Sequence, residues 1–228
     1  MHIIFLISLI LITLQTINHQ KIIDLTHDIS ANMPVFPGTK PPVIIDGCTI
    51  EKNGFAEKTI TMFTHTGTHM DAPAHVLEGK KTLDKFPVSH FFGQAYLLDC
   101  STKRRQISLE DVQIISPFID QIDYLIIYTG WTKYWGSSLY FEDFPVLSEE
   151  AAQFLADSNL KGVGLDTISV DPVDATLLPI HRILFEKEMV IIENLKINQQ
   201  LPQTFTFSCL PLKIDNTDGS PVRAVAII

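Results

Sequence analysis

The eleven residues HTGTHMDAPAH, positions 65 to 75, restrict what this chain can fold into more than any other stretch. They hold three of its eight histidines together with an aspartate. His65 and His69 are four residues apart, the spacing that would set two ligands on one helix face. Between them, however, stand Thr66, Gly67 and Thr68, which are poor helix material, and Pro73 follows. A strand running into a tight, glycine-hinged loop suits the segment better. An irregular backbone there can turn His65, His69 and Asp71 towards one point. Imidazole nitrogens with a carboxylate suit zinc or manganese, with positions left open for water. The bland alternative is a polar loop whose histidines only bond to backbone groups, and the density of the cluster argues against it.

The rest of the composition sets bounds. At 228 residues, with 46% hydrophobic and 19% charged positions, the chain fits one globular domain with a full core. A formal charge of −9 disfavours nucleic acid, because phosphate binding needs clustered Lys and Arg. The compact basic run Lys103-Arg104-Arg105 lies beside a turn and reads as a solvated face. Cys48, Cys100 and Cys209 are far apart and form no CxxC pair, so free buried thiols are expected in place of a disulfide framework or a zinc-thiolate site.

The run IIFLISLILITL, residues 3 to 14, is apolar but shorter than the roughly 20 residues a bilayer crossing takes. It matches the apolar core of a secretory signal, without the basic residues before it or the A-x-A site after it. A buried strand or an uncleaved anchor is the alternative. The expected organisation is a signal-like leader over 1–20 and a single domain over 21–228, with no stable membrane span after processing. The protein is then secreted or periplasmic if the leader acts as a signal, and cytoplasmic otherwise.

Beyond Lys21, short β-rich segments alternate with helical ones. KTITMFT (58 to 64) alternates with β-branched residues and predicts a strand entering the histidine segment. AYLLDC (95 to 100), DYLIIYTG (123 to 130) and GVGLDT (162 to 167) are short apolar runs ended by turn formers, hence buried strands. SEEAAQFLADSNL begins with Ser148 as an N-cap and reads as a helix. DATLLPIHRILFEKEM is helical, started or interrupted near Pro179, and VIIENL and FTFSCLPL return to strand. This order predicts an α/β domain with a mixed, barrel-like sheet.

Two distal residues are candidates to complete a metal site. Glu193 follows three apolar residues in a strand, and a buried carboxylate is usually paired or bound to metal. His181 lies in LPIHRILF. Each has a plain alternative: Glu193 as the first polar residue after a buried strand, His181 as a helix-surface residue. GVG at 162 to 164 lacks the third glycine of a dinucleotide fingerprint, and DNTDG at 215 to 219 lacks calcium-loop spacing and reads as a turn. Trp131, Tyr134 and Trp135 read as core or subunit-interface aromatics more readily than as a stacking wall. No G-x-S-x-G elbow and no cysteine in a catalytic context is found, so nothing points to a covalent nucleophile.

HTGTHMDAPAH resembles the H-x-G-T-H-x-D-x-P-x-H signature of the metal-dependent cyclase family, whose members include bacterial kynurenine formamidases and isatin hydrolases. The resemblance extends through IDLTHDISANMPVFPG, YTGWTKYW, GLDTISVDP, LPIHRILF with IIENL, and LPLKIDNTDGSPVRAVAI, so it covers nearly all of the chain after residue 21. It implies a swivelling β/β/α domain in a homo-oligomer, a dimer or a tetramer. It further implies one or two divalent ions, zinc or manganese. His65, His69, Asp71, His181 and Glu193 would be the ligands, with Asp71 and Glu193 bridging in two-metal members. His75 would be the proton donor and acceptor. Phe36 would line the substrate pocket, at a position where kynurenine formamidases carry tryptophan. The implied reaction is hydrolysis of an aryl formamide or related amide, with N-formylkynurenine as the first substrate. Isatin or another lactam is the second, and a secreted metal-binding protein without turnover is the reading from another class.

Overall fold

The computed structural model describes residues 20–102, 105–197 and 201–228. Residues 1–19 of the apolar leader, and Lys103 and Arg104 of the basic run, lie outside the described residues. In chain order the strands are β1 (Ile22–Asp24), β2 (Val43–Cys48), β3 (Glu57–Thr61), β4 (His69–Asp71), β5 (Phe92–Asp99), β6 (Gln106–Ile107), β7 (Tyr124–Tyr128), β8 (Val146–Leu147), β9 (Gly162–Leu165), β10 (Val190–Glu193), β11 (Thr204–Pro211) and β12 (Gly219–Ile227). The α-helices are α1 (Ile50–Asn53), α2 (Leu109–Gln113), α3 (Glu149–Ala156) and α4 (Pro179–Glu186).

The main sheet runs β12-β11-β5-β7-β9-β10-β4, and β4 pairs back onto β12, so it closes into a barrel-like ring. Strand β1 lies beside the C-terminal part of β12, in line with β4. Strands β5, β7, β9 and β10 are parallel, and the pairings that involve β4, β11 and β12 are antiparallel. The expected mixed, barrel-like α/β fold is what the chain adopts.

Parallel strands covered on both faces must be apolar throughout, which is why YLIIY and GVGL are buried at every position. Alternate side chains serve two cores. Leu125, Ile127, Val163, Leu165 and Ile191 pack against Val112, Leu155, Leu184 and Phe185 of the helices. Tyr124, Ile126, Ile192, Met70, Phe207 and Ala224 fill the inside of the ring. Each fully buried aliphatic side chain contributes about 1.5–3 kcal/mol, so the two cores dominate the stability. Gly164 belongs to this packing, not to a cofactor loop. A Cβ there would lie 2.7 Å from Leu195 Cδ1 and 2.8 Å from Ile126 Cδ1.

The same alternation positions the chemistry. Met70 points into the ring, so His69 and Asp71 on either side of it face outwards. Ile192 likewise points in, and Glu193 faces out. The register sets Glu193 opposite His69 and Ile191 opposite Asp71. Helix α4 begins at Pro179, buries Ile180, His181, Leu184 and Phe185, and so delivers His181 to that outer face. Ser148 caps α3 as expected, its Oγ accepting from Ala151 N at 3.1 Å. Cys100 and Cys209 are buried, and no disulfide joins any of the three cysteines. The aromatics Trp131, Tyr134 and Trp135 pack with Tyr140, Phe144 and Ile168 in a third apolar cluster.

One expectation needs correction. The strand read over 58 to 64 ends at Thr61 and does not enter the histidine segment. It pairs with β2 in a separate hairpin, and β3 is exposed along its whole length. His69–Asp71 form their own short strand because they fill the last gap between β10 and β12. Among the described residues no helix is long and apolar enough to cross a membrane.

Candidate metal centre

The loop before β4 turns on Gly67, whose φ of +68° is costly for residues with a side chain. This turn brings the Gly67 carbonyl back to His69, and His69 Nδ1 lies 2.8 Å from that oxygen. The proton is therefore assigned to Nδ1, and Nε2 carries a lone pair. That lone pair faces Asp71 Oδ1 at 3.1 Å and Glu193 Oε2 at 3.5 Å. His181 repeats the arrangement from the other side. Its Nδ1 lies 2.6 Å from Asp171 Oδ2, and its Nε2 faces Glu193 Oε1 at 3.4 Å and Asp71 Oδ2 at 3.7 Å. Asp171 also accepts the backbone N–H groups of Ile180 and His181, each at 3.0 Å, and so locks the ring to the start of α4.

Two imidazole lone pairs thus converge on two carboxylates, all four residues being buried. Acceptors facing acceptors repel unless protons or a cation lie between them. The electrostatics of the cluster points the same way. Burial opposes protonation of His65, but Asp71 and Asp218 push its pKa up to about 10. His69 and His181 are raised against burial in the same way, His69 by Asp71 and Glu193 and His181 by Asp171, Asp71 and Glu193. Burial alone would raise the Asp71 carboxyl, yet the facing imidazoles hold it well below the usual carboxylate range. A cluster that draws in protons so strongly could equally hold a divalent cation, which competes for the same lone pairs. The donor set of nitrogens and carboxylates, without thiolate, fits such an ion.

His65 and His75 complete the group. His65 Nδ1 lies 2.5 Å from Asp71 Oδ1, and ligand atoms of His65, His69 and Asp71 fall within 4.8 Å of one another. The same holds for Asp71, His75 and His181. His75 ends the short 3-10 turn Pro73–His75 directly after β4, with its ring 4.0 Å from that of His65 and 5.9 Å from that of His181. Burial outweighs the pull of Asp71 and lowers the pKa of His75 from its ordinary value, so this ring is neutral at pH 7 and free to exchange a proton.

A cavity of about 390 Å³ opens over these groups, with Phe36, Phe63, Ile168, Val173 and Leu178 on its apolar side. Leu178 adopts φ +47°, a strained conformation for a bulky residue, worth on the order of 1–3 kcal/mol. It caps the turn that leads into α4 and the His181 position. Asn194, directly after Glu193, is also left-handed at φ +58°. Its Nδ2 donates to Gly67 O at 2.9 Å and its Oδ1 accepts from Tyr140 OH at 2.8 Å, tying the histidine loop to the third apolar cluster.

The structure brings all seven residues singled out in the sequence to one pocket: His65, His69, Asp71, His75, His181, Glu193 and Phe36. Three others were not foreseen. Asp171 orients His181. Asp166 accepts the N–H groups of Thr129 and Trp131, each at 2.8 Å, and fixes the loop that carries Trp131. Both are carboxylates within or beside apolar runs, the signal that singled out Glu193, and the same reasoning would have found them. Asp218, in DNTDG, is the third. The segment is a turn as expected, but its second aspartate places Oδ2 2.9 Å from His65 Nε2.

The family described as Cyclase, putative cyclase, matches residues 23–172. The kynurenine formamidase of Geobacillus thermodenitrificans is 33% identical over 205 residues, which cover 89% of this chain and 95% of that protein. The kynurenine formamidase of Bacillus cereus is 31% identical, again covering 89% and 95%. Among solved structures, isatin hydrolase A from Labrenzia aggregata, bound to benzyl benzoate, is similar with a TM-score of 0.83 and 25% identity over 92% of this chain and 94% of that one. A protein from Bacillus stearothermophilus described as a predicted metal-dependent hydrolase gives 0.77 and 28%, over 91% and 98%.

Proposed function

The chain belongs to the cyclase family of metal-dependent hydrolases, and we propose that it cleaves the C–N bond of an aryl formamide or a related cyclic amide. The observation that carries this reading is the pair of imidazole lone pairs, on His69 and His181, aimed at the buried carboxylates of Asp71 and Glu193. His65, His69 and Asp71 would hold one ion. Asp71, His181 and Glu193 would hold a second where two are bound. Zinc or manganese suits these donors. Bound there, such an ion lowers the pKa of water towards neutrality and polarises the scissile carbonyl. Asp71 and Glu193 neutralise the charge of the centre, and Asp171 and Gly67 O keep the two rings from turning. His75, neutral at rest, takes up the proton that the attacking water gives up and hands it to the departing amine nitrogen. Phe36 offers its face to the aryl group, and the apolar wall keeps bulk water from that side of the pocket.

N-formylkynurenine is the open-chain substrate to try first, and isatin is the lactam. The purified protein should hydrolyse at least one of them, lose that activity on chelation, and regain it with zinc or manganese. Undiminished turnover by metal-stripped protein, or metal uptake without turnover of either compound, would refute the reading. The same assay tests Phe36. A phenyl face lacks the indole N–H and differs from indole by an apolar increment worth roughly 1–3 kcal/mol. Phe36→Trp should therefore raise kcat/KM for N-formylkynurenine relative to isatin by about 10-fold. An unchanged ratio would reduce Phe36 to packing.

We further propose a homo-oligomer. The hairpin β2–β3 leaves Val43, Ile45 and Ile60 more than half exposed, and a lone two-stranded hairpin is marginal in water. A second copy covering it would bury these side chains. A monomeric mass by light scattering at micromolar concentration would rule this out.

A further inference from the structure

We propose that Asp218 is a positioning residue for two histidines at once, His65 and His75, and so links the metal centre to the group that moves the proton. This assignment rests on the reading of His65 as a ligand and His75 as the acid–base.

One carboxylate oxygen serves both rings. Asp218 Oδ2 lies 2.9 Å from His65 Nε2 and 3.5 Å from His75 Nδ1. His65 has a carboxylate at each nitrogen, since its Nδ1 faces Asp71 Oδ1 at 2.5 Å. A neutral imidazole has a single N–H to give. If Nε2–H goes to Asp218, the Nδ1 lone pair is aimed at the side where His69 Nε2 also meets Asp71. Asp218 is then to His65 what Asp171 is to His181 and what the Gly67 carbonyl is to His69. Each of the three ligand rings has one acceptor behind it, and each presents its other nitrogen to the centre. For His75, an Nδ1–H held by the same oxygen leaves Nε2 for proton exchange.

The turn that carries Asp218 is anchored. Ala72 N donates to Asp218 O at 2.8 Å, Leu83 N donates to Thr217 O at 3.0 Å, and the Thr64 hydroxyl donates to Asp218 Oδ1 at 3.2 Å. The next residue, Gly219, pairs with Asp71 across the strands that close the ring. A Cβ at Gly219 would lie 2.6 Å from His65 Cε1, so the turn backbone packs against the very ring its carboxylate holds. Against this stands the partial exposure of the Asp218 side chain, 43%, which for an ordinary surface ion pair would mean little effect on removal. The two accounts predict different results.

Asp218→Asn, in the wild-type background and in His75→Ala, decides between them. An amide can donate where the carboxylate only accepts, which would reverse the His65 tautomer and turn Nδ1–H towards the centre. Zinc affinity, read by competition with a chromogenic chelator and without any substrate, should fall about 10- to 100-fold in both backgrounds. Turnover at saturating zinc should fall about 10-fold in the wild-type background and no further in His75→Ala, because the second effect acts through a ring that is gone. Asp218→Ala should follow the same pattern. Unchanged zinc affinity in both Asp218 variants would overturn the link to His65. An equal additional loss of turnover in the His75→Ala background would overturn the link to His75. If the wild-type protein turned over none of the amides, the proposed function would fail, and the chelator competition would still decide the hold of Asp218 on His65.

Discussion

Asp71→Ala should yield a folded protein that no longer retains metal and whose turnover drops by about three orders of magnitude or more. Its carboxylate is the one that meets all three of the rings proposed as ligands. Oδ1 faces His65 Nδ1 at 2.5 Å and His69 Nε2 at 3.1 Å, and Oδ2 faces His181 Nε2 at 3.7 Å. Glu193 meets only His69 and His181. Loss of Asp71 therefore strips both halves of the centre, whereas Glu193→Gln should leave the His65 side in place. The effect is separable from unfolding. Asp71 lies in a three-residue strand whose backbone pairing with β10 and β12 does not use its side chain. A ligand that binds only the native state raises stability by RT ln(1 + [L]/Kd), about 2.7 kcal/mol at a hundredfold excess over Kd. Thermal melts with and without zinc should show that rise for the wild type and its absence for the variant. Full metal occupancy in Asp71→Ala would remove the shared carboxylate from the scheme.

How much of this centre could be read in advance depended on where each group sits along the chain. His65, His69, Asp71 and His75 were legible because one loop, one short strand and the 3-10 turn after it hold them all, so their density is a local property of the sequence. Glu193 was legible by burial: a carboxylate after Val190, Ile191 and Ile192 needs a reason to be there. Residues that act from a distance left no such mark. Asp218 is 153 residues from His65 and reaches it only because β12 pairs with β4. No local pattern encodes that closure. Strand β12 was itself obscured, since Pro221 and Arg223 interrupt a run whose alternating Val222, Ala224 and Ala226 point into the ring. The β3 segment misled in the opposite sense. Its β-branched alternation is that of a half-buried strand, but its residues are exposed, because alternation reports a strand without reporting what covers it.

His75→Ala separates binding from chemistry, and its expected outcome is full metal content with turnover reduced on the order of 10²- to 10⁴-fold. The geometry gives His75 a place beside the centre but not within its core. The lone pairs that converge on Asp71 and Glu193 belong to His69 and His181, while the Nδ1 of His75 is directed to Asp218 at 3.5 Å. Its side chain is 28% exposed, against 4% for His69 and 3% for His181, so it can reach a water and a substrate in the pocket. Burial sets its pKa below the ordinary histidine value, which keeps the ring neutral at pH 7 before it takes up a proton to deliver. The amine leaving group of an amide departs poorly without that proton. An ester with a phenol leaving group departs readily without one. The loss on His75→Ala should therefore be large for an aryl formamide and much smaller for an aryl formate ester. Equal losses for amide and ester at full metal occupancy would show that His75 is not the acid. Loss of the metal itself would place His75 among the ligands and leave the proton to be carried by another group.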